Sequence, residues 1–195
     1  LVVETICKVF DEYGGWDAIY PGFYIPIQLQ VMGNFPMKMS ISGQELAPDI
    51  PFQLNEQEIL QVEDYDRIAE IGYDKFFQED YLWRITKATP DEVKKHMDQL
   101  IAADGLFTRC CANRNISRLF TGNGTHPFFT LSLMRSMVPF TQDVYYNPEP
   151  VERALQRMTD DLIAAKLAEM KHWDSNIWLF TEERAGGYFF SPKMF

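Results

Sequence analysis

The chain has 195 residues, of which 46% are hydrophobic and 24% charged, and this composition indicates one globular domain, not a disordered segment. With a net charge of −10 at pH 7, the protein would be repelled by nucleic-acid phosphates and by anionic membrane surfaces, so we expect neither as a partner. No apolar run approaches the roughly 20 residues that span a bilayer, and no signal-peptide pattern is recognisable, so we expect a cytoplasmic protein.

The cysteines are Cys7 and the adjacent pair Cys110 and Cys111, which are too few for a disulfide framework. We expect reduced thiols, which fits the cytoplasm. The sequence contains neither a spaced Cys/His set for zinc nor a phosphate-binding glycine loop of the Rossmann or Walker type. It therefore predicts no metal site within these residues.

The first predicted elements are a helix that ends at Gly14-Gly15 and a short apolar strand at Trp16–Pro21. The loop after this strand contains Gly22-Phe23-Tyr24. Tyr20 and Tyr24 are candidates to line a substrate pocket, and packing in the core is the alternative for each. Asp17 falls at the beginning of the strand, where a structural role is the simpler interpretation.

The next stretch, from about residue 34 to residue 60, is predicted to be an insertion between the main units of the domain. Pro26–Met32 precedes it as a short helix, and Met37–Ser42 alternates apolar and polar residues like a half-exposed strand. Phe52-Gln53-Leu54 is a candidate returning strand. The surrounding residues are rich in turn formers.

Three helices are predicted after the insertion. Glu63–Ile71 is stopped by Gly72, and a strongly aromatic helix follows at Tyr73–Trp83. Thr89-Pro90-Asp91-Glu92 has the spacing of a capping box with proline at the first helical position. Gly105 is expected to end the third helix, and its buried face is expected to carry Val93, Met97, Leu100 and Ile101.

A second apolar strand is predicted at Ile116–Thr121, with Gly122–Pro127 as the loop that leaves its carboxyl end. His126 in this loop is a candidate for acid–base chemistry, and capping of the turn is its alternative role. A helix is expected at Phe129–Met137, in which Arg135 either reaches an anionic group of the substrate or lies on the surface. An outer helix opens at Asn147-Pro148-Glu149.

The stretch Asn176–Phe195 holds the strongest indication of a site. Ile177–Phe180 is a run of large apolar residues, typical of a strand buried on both faces. Glu182, Glu183 and Arg184 follow it directly, and Ala185-Gly186-Gly187 then permits a sharp turn. Charged groups at the carboxyl end of a buried parallel strand lie where α/β barrels and open α/β sheets keep their active sites.

The pattern of aromatic strand, acidic residues, Ala-Gly and a terminal Ser-Pro-x-Met-Phe resembles the uroporphyrinogen decarboxylase superfamily. Pro127–Leu131 and Asn147-Pro148-Glu149 match it as well, so that the resemblance covers about the last third of the chain. This superfamily contains the decarboxylase itself and cobalamin-dependent methyltransferases. It implies an α/β fold of the (β/α)8 TIM-barrel type. Because a complete barrel typically takes about 250 residues, we expect residues 1–195 to be one segment of a barrel.

The resemblance also implies roles for the charged residues. Glu183 matches the strand-end position of the family, so it and His126 are the expected catalytic residues. Because successive side chains of a strand alternate, Glu182 should face the wall while Glu183 faces the pocket. Glu182 and Arg184 join Tyr20, Tyr24 and Arg135 as substrate-binding candidates, and Arg184 should pair with Glu182 or with a neighbouring loop.

Three functions are compatible with this resemblance. The first is a methyltransferase that moves a methyl group between a small substrate and a corrinoid carried on a partner protein. The second is uroporphyrinogen decarboxylation, from which Phe23, Leu133 and Glu183 depart at positions where the decarboxylases carry an aspartate, a tyrosine and a small hydroxyl residue. The third is a non-catalytic corrinoid-binding barrel. Zinc would require a His-x-Cys pair and a distal cysteine beyond Phe195, and the sequence gives no indication of the oligomeric state.

Overall fold

The computed structural model describes residues 2–19, 38–40, 42–119, 123–173, 177–182, 184 and 190–191. Within these ranges the fold is mixed α/β and mostly helical, which confirms the predicted class. The predicted helix Pro26–Met32 lies outside the described residues, as do Tyr20, Tyr24 and Glu183. None of the described helices is both long and apolar enough to cross a membrane.

The described helices follow the sequence signals closely in the middle of the chain. The predicted helices at Glu63–Ile71 and Tyr73–Trp83 are present, and the second contains a π-helical turn at Phe77–Tyr81. The helices are α1 (Val2–Tyr13), α2 (Asp64–Ile71), α3 (Tyr73–Phe76), α4 (Leu82–Ile85), α5 (Pro90–Ala112), α6 (Pro127–Arg135), α7 (Met137–Tyr146) and α8 (Pro148–Trp173).

The described strands form three pairs. β1 (Ala18–Ile19) pairs in parallel with β4 (Ser117–Arg118), and β5 (Asn123–Thr125) pairs in parallel with β6 (Leu179–Thr181). β2 (Lys38–Ser40) and β3 (Gln53–Asn55) form an antiparallel hairpin, which confirms the predicted returning strand of the insertion. Both of these pairs are parallel, and they belong to two separate sheets within the described residues. From the sequence we expect Trp16–Pro21, Ile116–Thr121 and Asn176–Thr181 to lie parallel in one sheet, and of these the described residues pair only the first two.

The loop predicted at Gly122–Pro127 is wrong in part, because residues 123–125 form β5. The turn-forming residues Asn123 and Gly124 favour a loop locally, but β6 supplies the backbone hydrogen bonds that hold them in a strand. An added Cβ at Gly124 would lie 3.5 Å from Nε1 of Trp178 and 3.8 Å from the ring of Phe180, so the glycine leaves room for these aromatic side chains. His126 therefore follows a strand directly.

Helix α5 begins as predicted and ends later than predicted. Thr89 and Glu92 form the reciprocal hydrogen bonds of a capping box, with Pro90 at the first helical position. Gly105 does not stop the helix, and Met97 and Ile101 are exposed instead of buried. A glycine inside a helix costs only about 1 kcal/mol, and packing of the second half of α5 against α1 offsets this cost. The buried residues of α5 are Phe107, Cys110 and Cys111.

The expectation of three reduced thiols is wrong, because Cys7 and Cys110 form a disulfide bond. The two Cα atoms lie 6.1 Å apart, within the usual range for a disulfide. The contact between α1 and α5 brings together cysteines that are far apart in the sequence. Cys111 is a free, buried cysteine.

The main core lies between α2, the aromatic helices α3 and α4, and helices α6 to α8. Helix α6 is buried along its whole length, and it ends one residue before Ser136, whose φ of 70° interrupts the helix. Asn147 precedes α8 as predicted, and Val151 and Met158 of this helix are buried. The core therefore fixes α6, whose two ends carry His126 and Arg135.

Candidate functional site

The carboxyl ends of β5 and β6 bring together two of the residues that the sequence singled out. Thr125 of β5 is in register with Thr181 of β6. In a parallel pair the next residues of the two strands lie side by side, and these are His126 and Glu182. Nδ1 of His126 lies 3.3 Å from Oε2 of Glu182. The pairing register therefore places an imidazole beside a carboxylate at the edge where α/β proteins bind their substrates.

His126 is held by the start of α6. Its backbone is extended at the N-cap position, and its Nδ1 accepts a hydrogen bond from the Phe128 N–H at 3.3 Å. Pro127 occupies the first helical position, where its missing N–H leaves no donor unsatisfied. The capping role considered from the sequence is thus present, together with the contact to Glu182.

A single nitrogen of His126 serves both contacts, so its protonation state decides which one is a hydrogen bond. Without a proton, Nδ1 accepts from the Phe128 N–H, whereas with a proton it donates to Glu182. The side chain of His126 is 42% exposed, whereas Oε2 of Glu182, the oxygen that faces the ring, is buried, so solvent reaches the pair from the histidine side.

Glu182 is oriented by Arg184, two residues further along the chain. The Arg184 N–H donates to Oε1 of Glu182 at 3.0 Å, which leaves Oε2 directed at the histidine. The Arg184 guanidinium contacts Glu56 and Ser132. Its Nη2 lies 2.5 Å from Oε1 of Glu56, and its Nη1 donates to the Ser132 carbonyl oxygen at 3.3 Å. The predicted pairing of Arg184 with a neighbouring loop is confirmed, and the loop belongs to the insertion.

Glu56 joins this loop to the start of α7. Its Oε2 accepts hydrogen bonds from the Ser136 hydroxyl at 2.8 Å and from the Met137 N–H at 3.2 Å. Burial opposes the charge of Glu56, but these bonds and the Arg184 guanidinium hold its pKa below its usual range. Glu56 is therefore a charged link between the insertion, α7 and the segment after β6.

Arg135 lies at the other end of α6 from His126, a separation of about 13 Å for a nine-residue helix. It is only 6% exposed, so the surface position considered from the sequence is wrong. Nε of Arg135 donates to Asp143 at 2.7 Å, and its Nη1 contacts Glu58 and donates to the Leu60 carbonyl oxygen at 3.1 Å. The structure does not bring Arg135 to the strand ends.

Sequence reasoning missed Glu56 and Glu58. Both lie in a turn-rich stretch in which no spacing or motif marks them, and their partners are distant in the sequence. Groups of three or more histidine, cysteine, aspartate or glutamate residues placed to hold a metal ion are absent from the described part of the chain. The donor set at the strand ends, an imidazole and a carboxylate, is suited to moving protons.

No family model matches the chain, and neither a curated protein nor a solved structure matches it.

Proposed function

We propose that this chain is part of an enzyme of the uroporphyrinogen decarboxylase superfamily, and that it moves a methyl group between a small substrate and a corrinoid carried on a partner protein. The observation that carries the proposal is the His126–Glu182 pair. It places an imidazole 3.3 Å from a carboxylate at the carboxyl ends of two adjacent parallel strands. Glu182 lies within a motif that resembles this superfamily, and His126 directly precedes another, Pro127–Leu131.

The barrel is part of the proposal. β5 leads through α6, α7 and α8 to β6, which pairs beside it in parallel, and this is the strand–helix–strand arrangement that a (β/α)8 barrel repeats. The parallel pair of β1 and β4 fits a second such connection, which contains the insertion. In a barrel of this type the strand ends would form the mouth, and the His126–Glu182 pair would lie there.

The proposed role of the pair is to manage one proton of the small substrate. A heteroatom that receives a methyl group must lose its proton to become a good nucleophile, and a heteroatom that gives one up leaves more easily when it is protonated. His126 exchanges this proton with the substrate, and Glu182 stabilises the charged imidazole while the ring holds it. The corrinoid, when it is bound, supplies the centre that gives or takes the methyl group.

Uroporphyrinogen decarboxylation is the second candidate, and the arginines of the structure favour it less. An acidic tetrapyrrole needs cationic side chains that are available for its carboxylates. Arg184 contacts Glu56, and Arg135 contacts Asp143 and Glu58, so carboxylates of this chain already neutralise both. In addition, the Glu182 carboxylate at the strand ends would repel the carboxylates of the substrate.

A cytoplasmic location also belongs to the proposal. The Cys7–Cys110 bond opposes it, because reductants in the cytoplasm keep most thiols reduced. The redox state of this bond in protein that is alkylated at the moment of cell lysis tests the location. A fully oxidised bond would favour an oxidising compartment.

The experiment that tests the function uses the full-length protein with methylcobalamin and a panel of small thiols, amines and phenols. Methyl transfer is measured from the absorbance change of the corrinoid and from the mass of the methylated product. We expect His126→Gln and Glu182→Gln to lower the rate strongly, and His96→Gln, a matched change on helix α5, to leave it unchanged. Release of carbon dioxide from uroporphyrinogen would instead support the decarboxylase. Corrinoid binding without either reaction would support the non-catalytic barrel.

A further inference from the structure

We propose that Glu56, from the insertion, is a positioning residue that acts through Arg184 to hold Glu182 against His126. This inference rests on the proposed function for the importance of the pair, but its structural part stands on contacts that can be measured without any substrate. Nothing in the sequence motifs marks Glu56, and it does not contact His126 or Glu182 itself.

The link has three consecutive contacts. Oε1 of Glu56 lies 2.5 Å from Nη2 of Arg184, and the Arg184 N–H donates to Oε1 of Glu182 at 3.0 Å. Oε2 of Glu182 then lies 3.3 Å from Nδ1 of His126. A change at Glu56 therefore alters the restraint on the backbone that orients the carboxylate.

Both ends of the link are anchored. Glu56 is fixed on its other oxygen by the Ser136 hydroxyl and the Met137 N–H at the start of α7. The Arg184 side chain is only 17% exposed and also donates to the Ser132 carbonyl oxygen of the buried helix α6. An ion pair that is partly shielded from water, and whose partners are both fixed, restrains its neighbours more than an exposed pair does. Through Glu56, the insertion thus restrains Arg184, the residue that orients Glu182.

The insertion also contains a residue for a matched control. Glu58, two residues from Glu56, contacts Arg135 at the far end of α6, and Arg135 does not contact Glu182. Loss of charge at Glu58 removes the ion pair with Arg135 and leaves the contacts from Glu56 through Arg184 to Glu182 unchanged. Loss of charge at Glu56 weakens the link itself. A glutamine at position 56 keeps an oxygen that can accept from Ser136 and Met137, so the substitution mainly removes the ion pair with Arg184.

The test is the ring ¹⁵N spectrum of His126 in the wild-type protein and in the Glu56→Gln and Glu58→Gln variants, at one fixed pH. The chain has only three histidines, and the spectrum of His126→Gln assigns the signal. In Glu56→Gln we expect the Nδ1 signal to shift, because the contact with Glu182 loosens while the hydrogen bond from the Phe128 N–H remains. In Glu58→Gln we expect it to stay in place.

An unchanged His126 signal in Glu56→Gln, or an equal change in both variants, would overturn the proposal. If Glu56→Gln does not fold, Arg184→Gln breaks the same link from its other end and should give the same change. Where methyl transfer is found, Glu56→Gln should lower kcat more than it changes KM. If the His126 signal shifts but the protein shows no methyl transfer, the proposed function is rejected and the role of Glu56 is supported. If the protein transfers methyl groups but Glu56→Gln changes neither the signal nor kcat, the role of Glu56 is rejected and the proposed function is supported.

Discussion

His126 and Glu182 lie side by side because Thr125 and Thr181 are in register at the ends of two parallel strands, and the imidazole Nδ1 is 3.3 Å from the carboxylate Oε2. The same nitrogen accepts from the first turn of α6. The first turn of the helix and the carboxylate therefore both contact one nitrogen of a single ring. A histidine placed in this way can give and take a proton without a change in the backbone.

The first prediction concerns the acid–base pair. Glu182→Gln and His126→Gln should each lower turnover by about 10²-fold or more, because each removes one member of a proton-transferring pair while the buried helix α6 keeps its place. Initial rates and a circular dichroism spectrum of each variant check this.

The comparison with Glu183→Gln is decisive. The family resemblance predicts that Glu183 is the catalytic carboxylate and that Glu182→Gln has the smaller effect. A larger loss in Glu183→Gln would confirm that assignment. A larger loss in Glu182→Gln would give the catalytic role to the carboxylate that contacts His126.

The second prediction concerns Arg135. Arg135→Met should lower the free energy of unfolding by about 3–5 kcal/mol, because it leaves the Asp143 carboxylate, whose side chain is only 12% exposed, without its cation. Arg153→Met is the control. Its partner Asp66 is exposed, as Arg153 itself is, and loss of such a pair costs about 1 kcal/mol or less. Urea unfolding measures both. A stable Arg135→Met protein that binds substrate weakly would instead support the substrate-binding role predicted from the sequence.

The third prediction concerns the disulfide. The unfolded, unreduced protein should show one reactive thiol, Cys111, and the reduced protein should show three. Because the bond closes a loop of 103 residues, reduction should lower the free energy of unfolding by about 2–5 kcal/mol. In the native protein, burial raises the pKa of the Cys111 thiol, so it should react slowly with thiol reagents. Three thiols before reduction would show that the bond does not form.

The fourth prediction concerns pH. The pKa of Glu56 is lower in the folded protein than in the unfolded chain, where a glutamate has a pKa of about 4.3. A group of this kind stabilises the fold at pH values above the unfolded pKa, and the contribution is lost as the pH falls through the folded pKa. The difference in stability between the wild type and Glu56→Gln should therefore be full at pH 6 to 7 and shrink below about pH 4. Urea unfolding at several pH values measures it, and a difference that grows in acid would contradict the pairing with Arg184.

Several parts of the fold could be predicted from the sequence because their causes are local. The capping box at Thr89 and Glu92 acts within one helical turn, and Gly72 stops α2 as expected. The apolar run that contains Leu179 and Phe180 forms a strand, and the residue after that strand, Glu182, reaches the site. In each case the physical interaction spans a few residues, so the sequence pattern contains it.

Other features were decided by the tertiary structure alone. Gly105 stays inside α5 because contacts with α1 outweigh its cost, and the same contacts join Cys7 to Cys110. Residues 123–125 form a strand because β6 provides the hydrogen bonds that their own sequence does not favour. The pairs Glu56–Arg184 and Glu58–Arg135 each join residues far apart in the chain. The sequence by itself determined the extent of α2, the start of α5, and the strand that places Glu182 at its end. The partner of each charge was decided by packing, because contacts between distant residues arise only when the core brings their elements together.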